Sequence, residues 1–171
     1  MNSIIRRIEL VANIAIILVA ILLGVVLVRN YFFRRPFEPQ TSSTSTVRPG
    51  MKLSVPDIDW KANGRTLVIA LSTQCHFCTE SAPFYQRIAT ERAKAGNLRL
   101  LAILPQPVTE SEQYLKELGI TVDGVKQLQL DSIGVNGTPT LILANSEGVV
   151  ANSWRGKLLS EKESEVISSL K

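Results

Sequence analysis

Apolar positions follow two different regimes along this chain. From Leu10 to Val28 they run on as LVANIAIILVAILLGVVLV, 19 residues with no charge and one amide, Asn13. As a helix this run rises about 28 Å at 1.5 Å per residue, enough to cross the hydrocarbon of a bilayer. A buried core helix is rarely apolar on all sides for so long, and a signal peptide has a shorter apolar stretch and a small-residue cleavage site after it. This run ends Val25-Val26-Leu27-Val28-Arg29, which offers no such site. The pattern predicts an uncleaved transmembrane anchor within residues 1–33. Residues 34–50, RRPFEPQTSSTSTVRPG, hold three prolines and a Thr/Ser cluster and have almost nothing to bury. They predict a flexible tether. Residues 51–171 then predict one domain of ordinary size.

Within that domain apolar runs alternate with amphipathic ones. Leu53–Ile58 reads as a short strand, and Asn63-Gly64 as a turn before the apolar strand Arg65–Leu71. Cys75–Ala95 reads as one helix, with Phe84 and Ile88 on its apolar face and Gly96-Asn97 ending it. Leu98–Leu104 is a second buried strand. A helix over Thr109–Leu118 follows, with Thr109 as N-cap and Glu112 completing a capping box. Thr140–Ala144 and Val149–Trp154 flank Asn145-Ser146-Glu147-Gly148 as a hairpin, and Ser160 caps a last helix, Glu161–Leu170. The order is β-α-β-α-β-β-α. Strands alternating with helices predict three parallel strands joined by right-handed crossovers, with the hairpin adding an antiparallel edge strand. The fold class is α/β with a mixed central sheet.

Charge changes the picture little. Of 19 Lys+Arg and 15 Asp+Glu, residues 1–46 hold five Arg and two Glu. The basic balance therefore belongs mostly to the membrane flanks, where arginines meet lipid headgroups. A nucleic-acid partner has no support. Arg6 and Arg7 precede the span and Arg29, Arg34 and Arg35 follow it, so charge alone leaves the topology near a tie.

The chemistry sits at Cys75-His76-Phe77-Cys78, which holds both cysteines of the chain. Two thiols two residues apart, where a buried strand gives way to a helix, form a dithiol/disulfide redox arrangement. The unpaired N–H groups and dipole of the helix start favour a thiolate on Cys75, the reactive species. Zinc normally takes four ligands, more than this pair and His76 supply. A purely structural disulfide closing so short a loop would stabilise little. His76, the only histidine, is a candidate for tuning the Cys75 thiol, with a solvated helix-start residue as the alternative.

The STQCHFC segment after an apolar strand, with GVNGTPTLIL further on, resembles the thioredoxin superfamily over roughly residues 50–170. With the anchor, the tether and Trp154-Arg155-Gly156, it most resembles the TlpA-like branch of tethered thiol-disulfide oxidoreductases. The resemblance implies a thioredoxin-like three-layer fold, Cys75 as nucleophile and Cys78 as resolving cysteine. It implies that Thr138-Pro139 is the cis-proline loop that binds substrate backbone, and that Pro83 is the helix-kinking proline. It also implies an extracytoplasmic, periplasmic domain on an inner-membrane anchor, cysteine-containing protein substrates, a redox partner such as a membrane electron donor, and no cofactor. Departures stand beside it. Gln74 replaces a common Trp, Ile69 a buried Asp, and Glu80 lies one place from the glutamate of TlpA-like proteins, so it reads as a helix-surface charge. Trp60 and Trp154 read as packing residues.

Two other functions are weighed. Peroxiredoxin-like thiol peroxidases carry P-x-x-x-T-x-x-C, where this chain has Val68, Ser72 and Cys75. Copper-delivery modules of the SCO type have three residues between the cysteines and a distant histidine, and this chain has neither.

Overall fold

The structure, a computed structural model, describes residues 47–171 together with Ile17. The anchor expected over residues 10–28 and the tether up to residue 46 lie outside the described residues. Among the described residues no helix is long and apolar enough to cross a membrane.

Five strands form one mixed sheet: β1 (Arg65–Ala70), β2 (Leu98–Leu104), β3 (Gly124–Gln127), β4 (Thr140–Ala144) and β5 (Val150–Arg155), in the order β3-β2-β1-β4-β5. β1 pairs parallel with β2, and β2 with β3, while β4 is antiparallel to both β1 and β5. The helices are α1 (Trp60–Asn63), α2 (His76–Glu80), α3 (Ala82–Ala95), α4 (Val108–Glu117) and α5 (Ser160–Ser169), with a 3-10 turn at Leu130–Ile133. Side chains alternate across β1, so both faces are buried. Leu67, Ile69 and Leu71 join Cys78, Tyr85 and Ile88 of the helical layer, Leu115 of α4 and Val166 of α5. Val68 and Ala70 face Val47, Leu53, Val55, Ile133 and Val135.

Several expectations are corrected. Thr140–Ala144 is antiparallel to β1, not parallel. The third parallel strand is β3, GVKQ, whose single large apolar residue gives no strand-like run. Leu53–Ile58 is not a strand. The chain there touches the sheet through one Lys52–Val149 bridge and the Leu53 N–H bond to the Gly148 carbonyl. Thr109 does not cap α4, which starts at Val108 behind Pro107 with no side-chain cap bond, so the capping box is not formed. Ser160 is the first residue of α5, and Leu159 precedes it.

The expected single helix over Cys75–Ala95 is two, α2 and α3, parted at Ser81. Pro83 explains the break. It has no N–H for the Thr79 carbonyl and its ring would clash there, but it fits the first turn of a new helix. Ser81 closes α2, donating from its backbone N–H (3.1 Å) and its hydroxyl (2.7 Å) to the Phe77 carbonyl. The β4–β5 turn forms as expected. Asn145 Oδ1 accepts from the N–H groups of Glu147 and Val149 at 2.9 and 3.0 Å.

Candidate active site

β1 carries the chain to one end of the sheet, where residues 72–74 turn it into α2. Gln106, between β2 and α4, holds this turn. Its Nε2 donates to Ser72 Oγ (3.1 Å) and its Oε1 accepts from the Thr73 N–H (3.4 Å). Thr73 Oγ1 donates to Glu110 of α4 at 3.0 Å. The turn closes as the Cys75 N–H reaches the Ser72 carbonyl at 3.1 Å.

Cys75 is then the N-cap of α2, in extended conformation, and its Sγ accepts from the Cys78 N–H at 3.2 Å. A sulfur in this place does what a capping Ser or Asp does, satisfying one of the unpaired N–H groups of a helix start. Cys75 is half-buried and Cys78 fully buried, and both are free thiols. The first sulfur is thus part-exposed at the helix start and the second faces the core.

The structure brings Thr138 and Pro139 to the same place. Their peptide bond is cis, Pro139 is buried, and the Cys75 thiol donates to the Thr138 carbonyl at 3.4 Å. The start of β4 and the end of β5 fix this loop. The Gly156 N–H donates to the Pro139 carbonyl (2.7 Å), Thr140 Oγ1 to the Gly137 carbonyl (2.7 Å) and Arg155 Nη2 to the Asn136 carbonyl (3.2 Å). Arg155 lies so close over Gly137 that a Cβ there would fall 2.6 Å from Nη2.

His76 points to Glu80. Its Nε2 lies 3.0 Å from Glu80 Oε1, one helical turn on, and its side chain is 79% exposed. Glu80 also takes Lys157 at 2.9 Å, from the connection between β5 and α5. Trp154 packs in the core and donates to Glu165 at 2.9 Å, and Trp60 lies against Gly148.

The electrostatics separate the two thiols. Burial, with the neighbouring Cys75 adding to it, pushes the Cys78 thiol up to about 12. Burial likewise raises the Tyr85 phenol, which is hydrogen-bonded to Ser81 and feels both cysteines, and it raises Tyr114, whose hydroxyl meets Thr79 Oγ1 at 3.1 Å. The Lys157 ammonium holds the Glu80 carboxyl below its ordinary range. Cys78 thus stays a protonated thiol at neutral pH, and Cys75 is the sulfur that can reach a partner. Among the described residues no group of three or more His, Cys, Asp or Glu is arranged to hold a metal.

Sequence reasoning missed Gln106, Tyr85, Tyr114, Arg155 and Lys157. The placement of Gln106 between two prolines after a buried strand hinted at a shaped loop, but its contact with Ser72 crosses 34 residues. Arg155 enters the sequence reading only within Trp154-Arg155-Gly156.

No protein-family model matches the sequence, and no curated protein matches it. Solved structures do. A Chlorobium tepidum protein assigned as thiol:disulfide interchange protein DsbE is similar at a TM-score of 0.58 and 16% identity, over 73% of this chain and 99% of that one. A thiol:disulfide interchange protein from Bacteroides sp. gives 0.54 and 16%, over 75% and 90%. A thiol-disulfide isomerase from Corynebacterium glutamicum gives 0.53 and 14%, over 72% and 92%. At these identities the likeness is one of fold, and the fold is thioredoxin-like.

Proposed function

We propose that this protein is a membrane-tethered thiol-disulfide oxidoreductase that exchanges electrons with cysteine-containing protein substrates on the extracytoplasmic side of a cell membrane. One observation carries the reading: a half-exposed Cys75, capping α2 beside the Thr138–Pro139 loop, is backed by a buried Cys78 whose thiol is pushed up to about 12. The fold shared with thiol:disulfide interchange proteins supports it, as does the 19-residue apolar run that would anchor the domain. The Thr138 and Pro139 backbone is the surface against which a substrate segment lies.

The step balances without a cofactor. The Cys75 thiolate attacks one sulfur of a substrate disulfide, forming a mixed disulfide as the substrate S–S bond breaks. Cys78 then attacks Cys75 Sγ, its proton passing to the departing substrate sulfur. The substrate gains two electrons and leaves as a dithiol, and the protein keeps a Cys75–Cys78 disulfide. A redox partner with a lower potential restores the dithiol. Run backwards, the same steps oxidise a dithiol substrate.

The test is a Cys78→Ser variant of the full chain, which can be attacked but cannot resolve. It should accumulate mixed disulfides that a reductant releases, and Cys75→Ser should accumulate none. A wild-type protein that neither reduces a disulfide nor oxidises a dithiol would sink the proposal. Orientation is read separately, from protease access to residues 51–171 in sealed cells.

A further inference from the structure

We propose that Glu80 is a positioning residue that sets the reduction potential of the Cys75–Cys78 pair by holding two basic side chains, His76 and Lys157, away from the thiolate. The proposal rests on the redox function proposed for the pair. Its basis is geometric. Glu80 lies at the C-terminal end of α2, about 7.5 Å along the axis from Cys75 at 1.5 Å per residue. One carboxylate oxygen takes His76 Nε2 at 3.0 Å and the other takes Lys157 Nζ at 2.9 Å. These partners come from different parts of the chain. His76 is the next residue after Cys75, and Lys157 follows β5, next to the Gly156 N–H that holds the Pro139 carbonyl. The carboxylate therefore sits between a base inside the motif and a cation on the β5–α5 connection, whose Gly156 N–H holds the Pro139 carbonyl. Two further charges stand by the motif: Glu110 of α4, which accepts from Thr73, and Arg155 of β5, which donates to the Asn136 carbonyl.

The consequence follows from Coulomb's law. A cation near a thiolate stabilises the reduced form and makes the pair more oxidising. Glu80 offsets the Lys157 charge and holds the His76 ring toward the next turn of α2. Neutralising Glu80 leaves the Lys157 charge uncompensated and frees His76, which favours the thiolate. Neutralising Lys157 leaves the carboxylate charge uncompensated and disfavours it. The two substitutions must therefore act with opposite signs, whereas a strap that merely held the loop to α2 would fail the same way when either end was cut. All three side chains are partly exposed, so the effect is screened by salt.

The experiment is the redox equilibrium of the full-length chain with reduced and oxidised glutathione at pH 7 and low salt, for wild type, Glu80→Gln and Lys157→Gln. Glu80→Gln should move the equilibrium about three- to tenfold toward the dithiol, tenfold being about 30 mV. Lys157→Gln should move it the other way, and both shifts should shrink in 0.5 M salt, an arbitrary concentration at which screening is within roughly 5 Å. If wild type exchanges with glutathione and the two variants move it in the same direction or not at all, the role of Glu80 is overturned and the oxidoreductase reading stands. If wild type does not exchange, both fall together.

Discussion

One sulfur faces outward and one is buried, and that difference is the main result at the scale of single residues. It has a consequence for stability. Burial in the fold pushes the Cys78 thiol up to about 12, well above the ordinary Cys value of about 8.5 that it regains on unfolding. Above pH 9 the unfolded state therefore binds fewer protons than the native one, and native stability falls as pH rises. This one group costs up to about 1.4 kcal/mol per pH unit across that window. The oxidised protein has no Cys78 thiol, so it should lack the decline. Burial, the main cause of the raised Tyr85 phenol, does not depend on the redox state of the cysteines and so acts in both curves. Urea melts of the dithiol and disulfide forms between pH 8 and 11 (an arbitrary range chosen to bracket the ordinary Cys value of about 8.5) should diverge as pH rises. Parallel curves would mean that Cys78 is not held protonated by the fold. The identities of these residues were legible because a C-x-x-C pair after an apolar strand has few other uses. The His76–Glu80–Lys157 contacts were not, because position 157 reaches Glu80 only through the fold, 77 residues away.

At the scale of elements, two glycines do different work. Gly148 lies in the β4–β5 turn at φ +75°, and a Cβ there would come within 2.8 Å of the Trp60 ring. Both the left-handed backbone and the rigid indole oppose any side chain. Gly148→Ala should cost about 1–3 kcal/mol in a thermal or urea melt, and should leave the rate of Cys75 alkylation unchanged, since the turn lies far from the motif in the fold. Gly137 has the reverse profile. A Cβ there meets the end of the Arg155 side chain, which can swing aside, but in swinging it gives up the Asn136 carbonyl that steadies the Thr138–Pro139 loop. Gly137→Ala should cost less than about 1.5 kcal/mol of stability and slow substrate disulfide exchange several-fold. Equal effects of the two substitutions on exchange would contradict this division. The turn itself was legible as Asn-Ser-Glu-Gly between apolar runs. So were β1, β2 and β4, which are almost wholly apolar. β3 was not, because a short edge strand needs backbone pairing and only one covered side chain. With β3 hidden in the sequence, Thr140–Ala144 reads as the third parallel strand, and this is why the expected direction of β4 is wrong.

For the whole molecule, the question is where the packed part of the chain begins. The described residues from Val47 to Lys171 belong to one compact unit. Val47 is 2% exposed in the core beneath β1, β2 and β4. Its carbonyl accepts from Ser153 Oγ at 3.2 Å, and the Gly50 N–H reaches the Val150 carbonyl at 2.8 Å. The stretch from Val47 to Leu53 thus covers the open edge of β5, the side of the sheet on which no other strand lies. Two soluble fragments, 42–171 and 51–171, separate these contributions. The shorter one loses the burial of one valine, worth about 1.5–3 kcal/mol, and the hydrogen bond from Ser153, worth about 1 kcal/mol. It also bares part of an edge strand, which invites pairing with a second copy. Fragment 42–171 should therefore melt several degrees higher and sediment as a monomer, while 51–171 should associate as concentration rises. Both should retain disulfide exchange with glutathione, since every group at the Cys75 site lies beyond residue 71. If both fragments melt together and neither associates, Val47 is a passenger, and the domain starts where the proline and Thr/Ser composition of residues 34–50 alone would put it.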